Sequence, residues 1–254
     1  MNAKNIILLF SALFLFTSCP KSEELIADSV NIEFYNHVNG VPIVFDSITG
    51  YSEWFNTLSG QTYNILNLYY LITDIRLTNE NGSVLKNLSD IHFVSSDDDN
   101  TNYLFIPEIL SCGEYSNIEF VFGINFEKNI NNAYINENFH NQMFWPDFMG
   151  GGYHYMKLEG KFDNESSFYA THTGGLDGTD YSITKSFPIN IISTENGSTH
   201  NIRIATDVNN WYSNPNNITI NSDGIMGNSE LQQKIQENGE DVFDVSTYEI
   251  AICY

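Results

Sequence analysis

The chain has 254 residues, is 42% hydrophobic and 14% aromatic, and sets 32 acidic side chains against 10 basic ones for a formal net charge of -22. Charge of that sign repels polyanions, which excludes nucleic acid and anionic headgroups as partners and leaves cations, metals included. High Asn, Gly and Tyr with low Ala and Lys suits strands joined by polar turns, and the length suffices for one large core.

In chain order, Lys4 precedes the apolar run IILLFSALFLF, which is too short to span a bilayer; Thr17, Ser18 and Cys19 follow, then charged KSEE. Residues 1–18 therefore read as a signal peptide. The stretch resembles a bacterial lipobox, with Phe16 where leucine is usual and Cys19 as the acylated first residue of the mature chain. Residues 19–29 form a lipidated polar tether and residues 30–254 a single domain, attached to the membrane through its lipid anchor only. Cys112 and Cys253 remain. They either pair in an oxidising compartment, closing a loop of about 140 residues and constraining the unfolded chain by on the order of 4–5 kcal/mol, or stay as two buried thiols.

NIEFYN and VPIVFD flank HVNG, which predicts a hairpin at Asn39-Gly40. The run TYNILNLYYLITDIRLTNENGSVL predicts a long strand ended by Asn81-Gly82, apolar on both faces over residues 68–72 and so central and covered on each side. IHFVS and NYLFIP flank the acidic turn Asp97, Asp98, Asp99, Asn100. That turn either offers oxygens to calcium or is simply solvated; it lacks the spacing and terminal glutamate of a calcium loop. A strand over residues 118–124 places Ile118, Phe120 and Phe122 on one face and Glu119 and Val121 on the other.

Residues 127–142, rich in Asn, read as an excursion with little regular structure. The strand GYHYMKLEGKF alternates, with His154, Met156 and Leu158 on one face and Tyr153, Tyr155, Lys157 and Glu159 on the other. Lys157 and Glu159 read as structural, Lys157 pairing with a neighbouring acid. SITKSFPINII and HNIRIATDV, with Asn196-Gly197 between them, predict a second hairpin. SELQQKIQENG predicts a helix capped by Asn228 or Ser229 and ended by Gly239, and TYEIAICY a last strand. The fold class is all-β, an antiparallel β-sandwich with one short helix near the C-terminus.

The order YYLITDIRLTNENG, CGEYSNIEFVFGIN, MFWPDFMGGGYHYMKLEG, THTGG and DVNNWY resembles the MbnP-like copper-binding protein family, from about Asn31 to near the C-terminus. The resemblance implies an extracytoplasmic β-sandwich, often a lipoprotein, linked to copper binding or acquisition. In some members a tryptophan is oxidised to kynurenine by a di-haem peroxidase-like partner and helps to ligate the metal. The closely spaced Trp-x-His of the best-known copper-binding members has no clear counterpart in this chain.

Six histidines are present: His37, His92, His140, His154, His172 and His200. Neutral imidazole suits copper as Cu+ or Cu2+, and a thioether such as Met143, Met149 or Met156 favours the cuprous state. His154 and His172 are the preferred metal ligands, since their strands, as sheet neighbours, would bring the rings together. His37, beside Asn39-Gly40, and His140 are candidate third partners. Each also has a structural reading as a hydrogen-bonded strand histidine, and the methionines as core filler. His92 and His200 sit in ordinary strand or hairpin contexts. Trp145, next to Pro146 and Gly150-Gly151-Gly152, is either a functional, modified aromatic or, with Phe144 and Tyr153, a packing cluster. Neither a Ser-His-Asp order nor a paired-cysteine zinc motif stands out, so no enzymatic activity is expected. The expected function is copper capture, storage or handover by a lipoprotein of the bacterial outer membrane, on its periplasmic or surface face. The alternative is a surface lipoprotein of the same fold that works as an adhesion or ligand-binding module without metal.

Overall fold

The computed structural model describes residues 25–163 and 167–248. The signal peptide, Cys19, Cys253 and most of the closing TYEIAICY lie outside the described residues. Runs of β-branched and aromatic residues give strands β1 (Asp28–Val38), β2 (Val41–Pro42), β3 (Phe55–Asn56), β4 (Thr62–Tyr63), β5 (Asn67–Thr78), β6 (Val84–Ser95), β7 (Tyr103–Leu110) and β8 (Gly113–Phe122). A single helical turn, α1 (His140–Met143), precedes β9 (His154–Phe162), β10 (Ser167–Gly174), β11 (Ile183–Ser193) and β12 (Thr199–Asp207). Helix α2 (Ser229–Asn238) and β13 (Phe243–Tyr248) follow.

The strands form two sheets, ordered β13-β12-β1-β2 with β7 also on β1, and β11-β8-β5-β9-β4-β3 with β6 on β5 and β10 on β9. Ile32 and Phe34 of β1 and Ile202 and Ile204 of β12 share one core with Tyr70, Ile72, Phe120, Phe122, Met156 and Leu158 of the larger sheet. All ten are at most 2% exposed, so apolar burial supplies the main cohesion between layers. The Tyr70 hydroxyl donates across the layers to Asn36 Oδ1 at 3.0 Å.

β5 is central, as its two-sided apolar pattern predicts. It carries β6 along one edge, while residues 67–70 pair with β9 and residues 72–78 with β8 on the other. Its register against β8 shifts between Thr73 and Arg76, and Asp74 between them takes a left-handed φ of 53°. The expected face of β8 also forms: Ile118, Phe120 and Phe122 are buried and Glu119 pairs with Arg76 at 2.9 Å. At Asn39-Gly40 the hairpin is present but brief, with His37 opposite Pro42 and Val38 opposite Val41.

Helix α2 starts where expected, the Asn228 side chain accepting the Leu231 N–H at 3.1 Å. Gly239 follows it for reasons of space rather than handedness. Its φ is -59°, and an added Cβ would lie 2.1 Å from Ile183 Cδ1.

The second predicted hairpin does not form. β11 belongs to the larger sheet and β12 to the smaller, so the Asn196-Gly197 turn carries the chain from one layer to the other. Both edges of β12 are occupied by other strands: β13 runs antiparallel on one side, and β1 runs parallel on the other from Ser29 opposite Thr199 to His37 opposite Asp207. The buried Asp28 carboxylate secures this corner by accepting the N–H groups of Thr194, Asn196 and Ser198 and facing His200 Nε2 at 3.1 Å. The sandwich is thus antiparallel except at the β1–β12 pair.

Candidate metal centre

β9 and β10 are antiparallel neighbours, with His172 opposite Lys157 and Thr173 opposite Met156, after which Gly174 stands opposite His154. Tyr155 is the extra residue of this bulge. Strict alternation would put His154 on the face of Met156, but the bulge breaks the alternation. The His154 ring lies instead against His172, whose cross-strand partner is Lys157. Their centroids are 5.1 Å apart and the rings cross at 84°.

The glycine run lays Trp145 over this pair. Gly150, Gly151 and Gly152 all have left-handed φ values, 114°, 74° and 86°. Two asparagines of the 127–142 excursion clamp the run: Asn131 Oδ1 accepts the Gly152 N–H, and Asn129 Oδ1 accepts the Tyr153 N–H at 2.8 Å. An alanine Cβ at Gly152 would sit 2.9 Å from the Asn129 carbonyl oxygen. The chain then closes on itself, Trp145 N–H donating to Gly152 O at 2.9 Å. The buried indole meets the His154 ring edge to face, centroids 4.7 Å apart, and donates Nε1–H to Met149 O at 3.3 Å. Gly174 makes the seat, since a Cβ there would come 2.8 Å from indole Cε3.

The protonation of His154 follows from its partners. Nδ1 lies 3.2 Å from the Met143 carbonyl, which can only accept, so Nδ1 carries the proton and Nε2 the lone pair. That Nε2 is buried without a hydrogen-bond partner among the described residues. An acceptor left in that state costs about 1–3 kcal/mol, and a bound cation would remove the cost. Burial first, then the His172 and Lys157 charges, lowers the imidazole pKa to about 3, so the ring is neutral at neutral pH. His172 is held at two points: its Nε2 lies 2.6 Å from Glu159 Oε1, and its carbonyl accepts Gln232 Nε2–H at 2.8 Å from α2. Glu159 has its pKa lowered to about 2, chiefly by the His172 hydrogen bond, with burial opposing and Asn67 assisting.

The other expected ligands lie elsewhere. His37 Nδ1 accepts the Gly40 N–H at 3.0 Å and sits 3.7 Å from Asp207 at the end of the smaller sheet. His140 Nδ1 lies 3.0 Å from the Tyr153 hydroxyl, whose oxygen accepts the Tyr134 N–H. Among the described residues no three His, Cys, Asp or Glu side chains gather as a metal site. Met143 and Met156 are fully buried core residues. His92 stacks on Phe34 and bonds the Thr101 carbonyl at 2.7 Å. Cys112 is exposed. In the acidic turn, Asp97 accepts the Tyr69 hydroxyl at 2.7 Å and Asp98 caps Asn100 N–H at 3.0 Å, so these oxygens are engaged within the fold.

The partners of several site residues escape a reading by local pattern. Glu159 engages His172 and Asn67, while Lys157 extends to the Gln142 carbonyl at 3.4 Å and over the Tyr69 ring. Gln232 and the clamp asparagines act from 60 and about 20 positions away. Only the β9–β10 register could have flagged Glu159, which stands diagonal to His172 on one face.

The residues present fit a soft monovalent ion held by two imidazole nitrogens, the coordination that cuprous copper accepts, and do not fit a larger cage. The family model for MbnP matches residues 27–232. Among solved structures, MbnP from Methylosinus trichosporium is similar, with a TM-score of 0.52 and 10% identity over 87% of this chain and 99% of that chain. A likeness at that identity is a likeness of fold. No curated protein matches the chain.

Proposed function

The chain belongs to the MbnP family, and from that premise we propose that it is a non-enzymatic, lipid-anchored protein that captures copper outside the cytoplasm, holding it between His154 and His172. The observation that carries the reading is the buried, unpartnered Nε2 of His154, in a ring that touches His172. The formal charge of -22 supports it by concentrating cations around the protein. The His154 contact also supports Trp145 as the aromatic that a di-haem peroxidase-like partner would oxidise; peptide mapping by mass spectrometry of native material reads that modification directly.

Competition of the purified protein against a cuprous chelator tests the copper reading. One tight equivalent is expected, lost in the His154→Ala, His172→Ala double variant. Weak, substoichiometric copper that survives both substitutions would sink it. The second reading, a module for an organic ligand, draws on a different feature. A cleft of about 390 Å³ opens between β1 and the acidic turn, lined by Tyr35, Phe45, Asp97, Asn102 and Tyr103 among others. Ligand binding lost on Tyr35→Ala while copper binding fails would favour that reading.

A further inference from the structure

The two oxygens of Glu159 face different partners, and the set is continuous. Oε1 takes His172 Nε2–H at 2.6 Å, and Oε2 takes the Asn67 Nδ2–H at 2.7 Å. Asn67 is held in that orientation because its own Oδ1 faces the Tyr69 hydroxyl at 3.0 Å. That hydroxyl, kept protonated first by burial and then by the nearby Asp97, shares its proton between Asn67 and Asp97 Oδ2, the latter at 2.7 Å. An amide turned the other way would set an NH₂ group against the hydroxyl and a carbonyl against the carboxylate. The line therefore fixes the donor end of Asn67 on Glu159, and Glu159 on one nitrogen of His172.

We propose that Glu159, held by Asn67, Tyr69 and Asp97, is the positioning residue that fixes His172 as its Nε2–H tautomer and so makes Nδ1 its metal-binding nitrogen. The proposal rests on the copper reading above and adds to it the chemistry of the donor set. A carboxylate accepts and does not donate, so the proton of a neutral His172 stays on Nε2 and the lone pair is left on Nδ1. His154, whose Nδ1–H is bound to the Met143 carbonyl, offers Nε2 instead. The pair thus presents one nitrogen of each kind. Glu159, with both oxygens engaged, is not a ligand. Two neutral nitrogens favour a soft monovalent ion over hard divalent ions, which demand charged oxygen.

Long-range proton–nitrogen correlation spectra of the metal-free, nitrogen-15-labelled protein at pH 7.5 read the tautomers directly. His172 is expected with a protonated Nε2 and a bare Nδ1; a protonated Nδ1, alone or in an imidazolium, overturns the proposal. In Glu159→Ala the His172 signals should move toward a tautomer mixture, and cuprous affinity should fall on the order of 10- to 100-fold, the usual cost of losing a group that orients a metal-bound histidine. Glu159→Gln keeps an acceptor oxygen for the same N–H and should hold the tautomer, with a smaller loss of affinity than Glu159→Ala, since its NH₂ then meets that of Asn67. Should Glu159→Ala not fold, the parent spectrum and Glu159→Gln decide. Protein that binds copper through both histidines yet keeps its tautomer and affinity in Glu159→Ala overturns the positioning role alone. Protein whose copper binding ignores His154 and His172 takes down the copper reading and this proposal together.

Discussion

Each sheet carries a histidine against a carboxylate. In the smaller sheet His200 meets Asp28 at 3.1 Å, and in the larger His172 meets Glu159 at 2.6 Å. The first is complete in itself, since Asp28 also gathers three backbone N–H groups at the corner between β11 and β12. Beside the second stands His154, whose Nε2 has no partner among the described residues. A histidine–carboxylate pair is therefore no sign of function by itself. What separates the two regions is a second imidazole, left open, beside the one that the carboxylate holds.

The most severe way to test this contrast is Asp28→Ala. It strands three backbone N–H groups near the core and should cost about 3 kcal/mol in denaturant unfolding, with copper affinity unchanged. A loss below about 1 kcal/mol would mean that the corner tolerates an unfilled site and that the contrast is overstated. Although burial opposes it, hydrogen bonds from His200, Ser193 and the Ser198 and Thr194 backbone hold the Asp28 carboxyl below its usual range. Its contribution is then present above the unfolded carboxylate pKa of about 4 and is lost as the pH falls below that.

His154 behaves in the opposite sense to a salt-bridged histidine. Its folded pKa of about 3 lies below the ordinary 6.5, so the unfolded chain binds a proton first. The stability lost between pH 7.5 and pH 5 through this residue should be about 2 kcal/mol, and His154→Leu should lack that part of the slope. Equal slopes in the two proteins would show that His154 is hydrated rather than sealed.

Gly174→Ala should push the indole from its seat at a cost of about 1–2 kcal/mol, with a shift in tryptophan fluorescence and weaker copper binding. Unchanged fluorescence would show that the strand, not the indole, gives way. Least of all should follow from His37→Ala, His140→Ala or His200→Ala. Copper affinity should stay within about twofold in each, because each of these imidazoles is engaged by a partner other than His154 and His172. A tenfold loss in any one would make that histidine a ligand.

Much of the scaffold was legible in single stretches: the two-sided apolar run of β5, the alternation in β8, and the Asn228 cap of α2. Those signals are local, reaching at most four residues. The Asn196-Gly197 turn misled because a turn sequence specifies a bend and not which strands pair across it; β12 was already occupied on both edges. At the site, His154 and His172 do touch, but through a bulge that alternation cannot reveal. His37 and His140 stood beside them as candidate third partners because a histidine's spare lone pair depends on who else is near, and that is a property of tertiary packing. Glu159 read only as structural and Asn129 carried no mark until the register of β9 and the course of the excursion were known.

The parallel pairing of β1 with β12 has a kinetic consequence. Asn31 and Asn201, whose side chains bond at 3.1 Å across that pair, are 170 positions apart. A ribosome delivers β1 early and β12 late, so the spine of the smaller sheet waits for most of the chain before it can close. Contacts of such long sequence separation make folding slow, and during the wait β1 presents a bare edge to other molecules. Chains truncated before residue 199 should accumulate as aggregates rather than as half-sandwiches, which makes the last quarter of the sequence the gatekeeper for the first.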